Sequence, residues 1–150
     1  MNVTAYDLAQ RFVGIKEVAG SASNPAILAM LKLDGAWPAD DAVPWCSAFT
    51  NYIAWLLRLP RSKSLRARSW LLIGTPVALE FATPGFDVVI FNRGGPHDPT
   101  VIEAPGHVAF YGGRQAAKVI VLGGNQGDSV SLAQFPQGDV LGVRRLHGSA

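Results

Sequence analysis

Residues 40–60 read DDAVPWCSAFTNYIAWLLRLP, and the chain's only cysteine, Cys46, stands where the long apolar run begins. From Cys46 to Leu57 nearly every helical face is apolar, through Ala48, Phe49, Tyr52, Ile53, Trp55 and Leu56. Such a helix belongs in the middle of a fold, and Pro60 ends it. Cys46 then sits at a helix N-terminus, where a thiol gains acidity and backbone N–H groups lack partners. The backbone N–H groups of Cys46 and Ser47 are candidate donors to an oxyanion. A buried, inert thiol is the competing reading, since free cysteines are among the most buried residues.

Working outward, TAYDLAQRFVGIKE places Ala5, Leu8, Ala9, Phe12 and Ile15 on one helical stripe, with Thr4 as N-cap. Asn24 and Pro25 read as N-cap and first residue of a second helix, PAILAMLKLDG, closed by Gly35. SLRARSWLL, residues 64–72, reads as a shorter helix. After Pro76 the pattern changes: FDVVIF, HVAFY, KVIVL and VLGVRRL are β-rich runs between Gly and Pro clusters. GGRQAA between the second and third of these suggests a hairpin with a medium-length loop. Helices first and antiparallel strands after define an α+β domain, the helices packed on a small sheet. The 150 residues fit one domain, 1–150.

Composition excludes several classes. Hydrophobic residues at 49% and charged residues at 16% indicate a globular chain. A formal charge of +2 gives no reason to expect a nucleic-acid partner. One cysteine excludes an internal disulfide and a Cys-rich zinc site, and a free thiol suits a reducing compartment. No signal peptide is evident, and no run of about 18 apolar residues could span a bilayer. The basic run RLPRSKSLRAR, residues 58–68, reads as a solvated face rather than a wall- or membrane-attracting patch.

A cysteine nucleophile needs a base, and the chain offers three histidines. His97 in GGPHDPT and His147 near the carboxyl end read as loop residues. His107 opens a strand, and alternation sets His107, Ala109 and Tyr111 on one face with Val108 and Phe110 on the other. If HVAFY pairs with KVIVL, Asn125 in GGNQG comes near the level of His107 and can accept an imidazole N–H. Taken alone, GGNQG is an ordinary turn.

As an ordered set, PWCSAFTNYIAW, SLRARSWL, PGFDVVIF, GHVAFY and VLGGNQ resemble small papain-like cell-wall hydrolases. The superfamily is that of the NlpC-type peptidases and CHAP amidases, and the chain is most similar to compact endolysin-type enzymes of phage and prophage. The resemblance implies catalysis by Cys46 as nucleophile, His107 as general base and Asn125 as third residue. Gly123 stands where many CHAP relatives carry a Glu, and Phe86 interrupts the usual Pro-Gly-Asp, so Asp87 is read as structural. Glu17, Trp45 and Ser47 are the candidate substrate-binding residues. Glu17 would line the cleft, Trp45 would flank the groove although tryptophan is more often core, and Ser47 would act through its N–H. Asp40 and Asp41 do not match a calcium loop, so neither a metal nor a cofactor is expected.

The implied activity is hydrolysis of an amide bond in peptidoglycan by a monomer with no nucleic-acid partner. The enzyme would be made in the cytoplasm and reach the wall or periplasm by holin-type release or injection. One rival keeps the site but makes the protein an interbacterial amidase toxin, with an immunity protein as partner. Another is a wall-binding module without catalysis, for which Cys46→Ala would change nothing.

Overall fold

The computed structural model describes residues 3–18, 24–34 and 45–146. The expected loop at Gly20–Ser23, Gly35, the Asp40–Asp41 segment and His147 lie outside these residues. Among the described residues three α-helices are followed by a six-stranded antiparallel sheet. The helices are α1 (Ala5–Gln10), α2 (Pro25–Leu31) and α3 (Cys46–Leu56). The strands are β1 (Thr75–Val77), β2 (Asp87–Asn92), β3 (Gly106–Gln115), β4 (Lys118–Gln126), β5 (Ser129–Pro136) and β6 (Val140–Arg145). Their spatial order is β1-β6-β2-β3-β4-β5. The α+β expectation is met, with two strands more than the sequence indicated.

Both helix starts follow from local chemistry. Thr4 Oγ1 accepts the Asp7 N–H while the Asp7 carboxylate accepts the Thr4 N–H, a reciprocal cap. Asn24 accepts from the Ala26 N–H, with Pro25 fixing the first turn. The first helix stops at Gln10, however, because Gly14 adopts φ +100° and the chain turns to bridge Lys16 to Ser129. Phe12 and Ile15 still pack on the core from this turn.

Alternation decides which face of the sheet each strand residue serves. Val88, Ile90, Val108, Phe110 and Leu122 join the helix-side core with Phe49 and Ile53 of α3. Val89, Phe91, Ala109, Tyr111, Val119, Val121 and Val143 form a second core behind the sheet. A sheet buried on both faces explains why these strands read as continuous apolar runs. α3 is less central than expected: its first six residues are buried, but Trp55 and Leu56 at its far end are exposed.

The basic stretch is a solvated face only in part: Arg58, Lys63 and Arg66 are exposed, but the other two cations are engaged. Arg61 makes a two-bond ion pair with Asp34, and Arg68 is fully buried. The predicted helix there is a 3-10 helix over Ala67–Leu72. Its Arg68 uses Nε for the Pro105 carbonyl, Nη1 for the Asp98 and Val101 carbonyls, and Nη2 for Pro96 O and Asn92 Oδ1. All five donors of the guanidinium are thereby satisfied, and the β2–β3 loop is wrapped on one side chain. Asp87, buried under β6, is held by Arg145 at 2.8 and 2.9 Å, which accords with a structural role.

The candidate active site

Cys46 is the first residue of α3. The first intrahelical backbone bond is Phe49 N–H to Trp45 O at 3.0 Å, so the N–H groups before it are free of the helix ladder. Those of Ser47 and Val108 point at the Cys46 sulfur. Val108 is available because the β3–β4 ladder begins only at Phe110↔Leu122. The sulfur enters beside that opening and hydrogen-bonds the His107 ring. Burial pushes the thiol up, but the His107 contact and its positive charge outweigh burial and hold Cys46 below the ordinary thiol range. Burial likewise pushes His107 down, while the contacts with Cys46 and Gln126 raise it above the ordinary imidazole value, against the positive charge of Arg93. The two groups stabilise each other as a thiolate–imidazolium pair.

His107 is held on three sides. Its Nε2 lies 2.9 Å from Gln126 Oε1. Gln126 Nε2 donates to the Ser131 carbonyl at 2.6 Å, which leaves only the amide oxygen for the histidine. Nε2 of His107 must therefore carry a proton, and Nδ1 is left for sulfur. Phe91 and Phe135 lie against the ring, with centroids 6.3 and 5.0 Å away.

The side chain that meets the His107 ring is thus Gln126 rather than Asn125. Alternation from Gly123 would set Asn125 on the His107 face. The β4–β5 register instead shifts between Gly123↔Ser131 and Gln126↔Ser129, three steps on β4 against two on β5. Asn125 takes φ 57° in this bulge, and Gln126 returns to the face that Asn125 would have occupied. Asn125 lines the adjoining pocket. GGNQG is a bulged strand end, and the turn falls at Gly127–Asp128, both at positive φ, as a two-residue hairpin requires.

The glycine pair is needed for packing. A Cβ on Gly124 would lie 2.7 Å from Phe49 Cβ and from the Trp45 ring; one on Gly123 would lie 2.7 Å from Ala109 Cβ and 2.9 Å from Gln126 Oε1. At Gly124 the start of α3 approaches the sheet too closely for any other residue, and at Gly123 the space is taken by Ala109 and the Gln126 side chain.

The candidate substrate-binding residues have other work. Trp45 is fully buried and its indole N–H donates to Glu17 at 2.7 Å, occupying both side chains. The Ser47 hydroxyl donates to Ser64 O at 2.6 Å and accepts the Trp70 indole N–H at 3.0 Å. Neither Trp45 nor Ser47 presents a side chain to a substrate; Ser47 contributes its N–H to the cysteine sulfur instead. Gln126 and Arg68 are the residues that reading the sequence missed.

A cysteine thiolate at a helix N-terminus, paired with a histidine from the first long strand of an antiparallel sheet, has the chemistry of cysteine acyl transfer. The fold is shared with NlpC1 from Trichomonas vaginalis, at a TM-score of 0.56 and 20% identity. The likeness covers 95% of this chain and 42% of that one, so this chain spans less than half the length of NlpC1. No protein-family model and no curated protein matches the sequence.

Proposed function

We propose that the protein is a cysteine hydrolase of the NlpC/CHAP kind, cleaving an amide bond in peptidoglycan, with Cys46 as nucleophile, His107 as acid–base and Gln126 as orienting residue. The observation that carries this reading is the buried Cys46–His107 contact braced by Gln126. The likeness of fold to NlpC1 and the ordered motifs around Cys46 and His107 support the substrate class.

In the reaction the Cys46 thiolate attacks the carbonyl carbon, and the oxyanion forms at the α3 N-terminus, toward which the first N–H groups of the helix point. His107 gives its Nδ1 proton to the leaving amine as the C–N bond breaks, leaving a thioester. Water then attacks the thioester carbonyl as His107 takes its proton, and the C–S bond breaks to release the carboxylic acid and the Cys46 thiolate, which restores the thiolate–imidazolium pair. The ordered motifs, which resemble those of compact endolysin-type enzymes, support a lytic role at the wall. Digestion of purified peptidoglycan tests it. Wild type is expected to release amide-cleaved fragments identifiable by mass, and Cys46→Ala none; equal release by both would refute the proposal.

A further inference from the structure

The far end of α3 carries a surface that the reaction does not use. Trp55 and Leu56 are exposed there, at 48% and 40%, on a helix whose first six residues are buried. With Leu59, Arg58 and Arg61 they line an open groove of 410 Å³. The helix closes with the Arg58 N–H on the Trp55 carbonyl at 3.2 Å and the Leu59 N–H on the Ala54 carbonyl at 2.9 Å. That closure needs one residue in the left-handed region, a place glycine usually takes. Arg58 takes it, with φ 57°, and an exposed cation stands in the same groove as Trp55. The Arg61–Asp34 ion pair joins this groove to a second cleft, which the exposed Lys63 lines.

Charge and chemistry point to the partner. From Ala42 to Leu79 the sequence has no acidic residue, while Arg58, Arg61, Lys63, Arg66 and Arg68 fall within that span. Among the described residues Arg58 and Lys63 pair with no carboxylate. The patch therefore attracts an anionic partner. Apart from the two guanidiniums and the indole N–H, the described lining offers that partner no polar side chain. Protein interfaces carry about one hydrogen bond per 100–200 Å², which such a lining is poorly equipped to supply. A lipid surface asks for none: its phosphates meet the cations, and its headgroup boundary takes the Trp and Leu side chains. Tryptophan is a side chain enriched at that depth.

We infer that the C-terminal end of α3 is a docking surface for an anionic phospholipid bilayer, with Arg58 and Lys63 on the phosphates and Trp55 and Leu56 at the headgroup boundary. From Cys46 to Leu56 the helix rises about 15 Å, so the docked protein holds its catalytic pair off the lipid, at the opposite end of α3. The inference does not rest on the hydrolase reading, and Cys46→Ala should dock as wild type does. Its test is sedimentation of the full chain with vesicles of phosphatidylcholine, alone or mixed equally with phosphatidylglycerol. Wild type should bind the mixed vesicles about tenfold or more tightly than the neutral ones, and high salt should abolish the difference. Arg58→Gln and Trp55→Gln should each weaken binding about fivefold. Leu56→Gln, at an exposed position, repeats the apolar arm if Trp55→Gln melts below wild type. Arg114→Gln, which removes an exposed cation from the β3–β4 hairpin, should leave binding unchanged. Equal binding to both kinds of vesicle overturns the inference, as does a preference that Arg114→Gln weakens as much as Arg58→Gln. A surface made for a soluble polyanion or an acidic protein gives no vesicle binding, or binding that Trp55→Gln and Leu56→Gln leave intact, and either result also overturns it.

Discussion

At the scale of single residues, the site depends on one imidazole serving two partners. Cys46 titrates below its ordinary value and His107 above its own, so the ion pair exists in the window between them. Activity should rise with pH as the thiol ionises and fall as the imidazolium loses its proton, a bell whose two limbs belong to the pair. Gln126 fixes the ring, and Gln126→Ala should lower kcat by about 10²-fold with little change in KM. Asn125→Ala should cost far less, because its side chain does not touch the ring. Steady-state kinetics on the two variants would separate these roles, and equal losses would return the orienting role to Asn125.

At the scale of elements, the segment that precedes the sheet brings helix and strand together. Ser64 and Trp70 hold the α3 N-terminus through Ser47, while Arg68 holds Pro105, just before Gly106 and His107. Cys46 and His107 are positioned from one brace. Arg68→Met should remove five hydrogen bonds at once, leave buried carbonyl oxygens unpaired and destabilise the fold by about 3 kcal/mol or more. Urea unfolding measures this, and a loss below about 1 kcal/mol would show that water replaces the guanidinium. The β4 bulge is the second positioning device. Gly123→Ala should press on Gln126 and cost roughly 10²-fold in kcat. Gly124→Ala should instead act on stability, by about 1–3 kcal/mol of overpacking against Trp45 and Phe49; circular dichroism melts distinguish the two.

At the scale of the molecule, what could be read in advance was whatever depends on short-range pattern. Helix caps at Thr4 and Asn24, the start of α3 at Cys46, and the alternation that sorts β3 between two cores all follow from neighbours in sequence. Two strands escaped notice for physical reasons: β1 is three residues long with Pro76 at its centre, and β5 is an edge strand whose outer half is largely exposed. The expected medium loop after HVAFY is a two-residue turn, because β3 runs on to Gln115 through a bulge at Tyr111–Gly113. Gln126 was hidden by a bulge that no periodicity announces. Arg68 was hidden because a run of cations carries no sign of which one will meet a folded loop of carbonyls. Trp45 sits next to the nucleophile in sequence yet its side chain is buried, so nearness along the chain misjudged it as a groove residue.

The most direct test of a paired thiolate is the pH dependence of Cys46 alkylation by iodoacetamide, in wild type and in His107→Ala. The chain has a single cysteine, so modification reports on that site alone. Wild type should react as a thiolate well below the ordinary thiol pKa of about 8.5. Without the imidazole, burial is opposed only by the Ser47 and Val108 N–H groups, and the reactive form should appear at clearly higher pH than in wild type. Coincident profiles near the ordinary thiol value would contradict the pairing of Cys46 with His107 and the mechanism built on it.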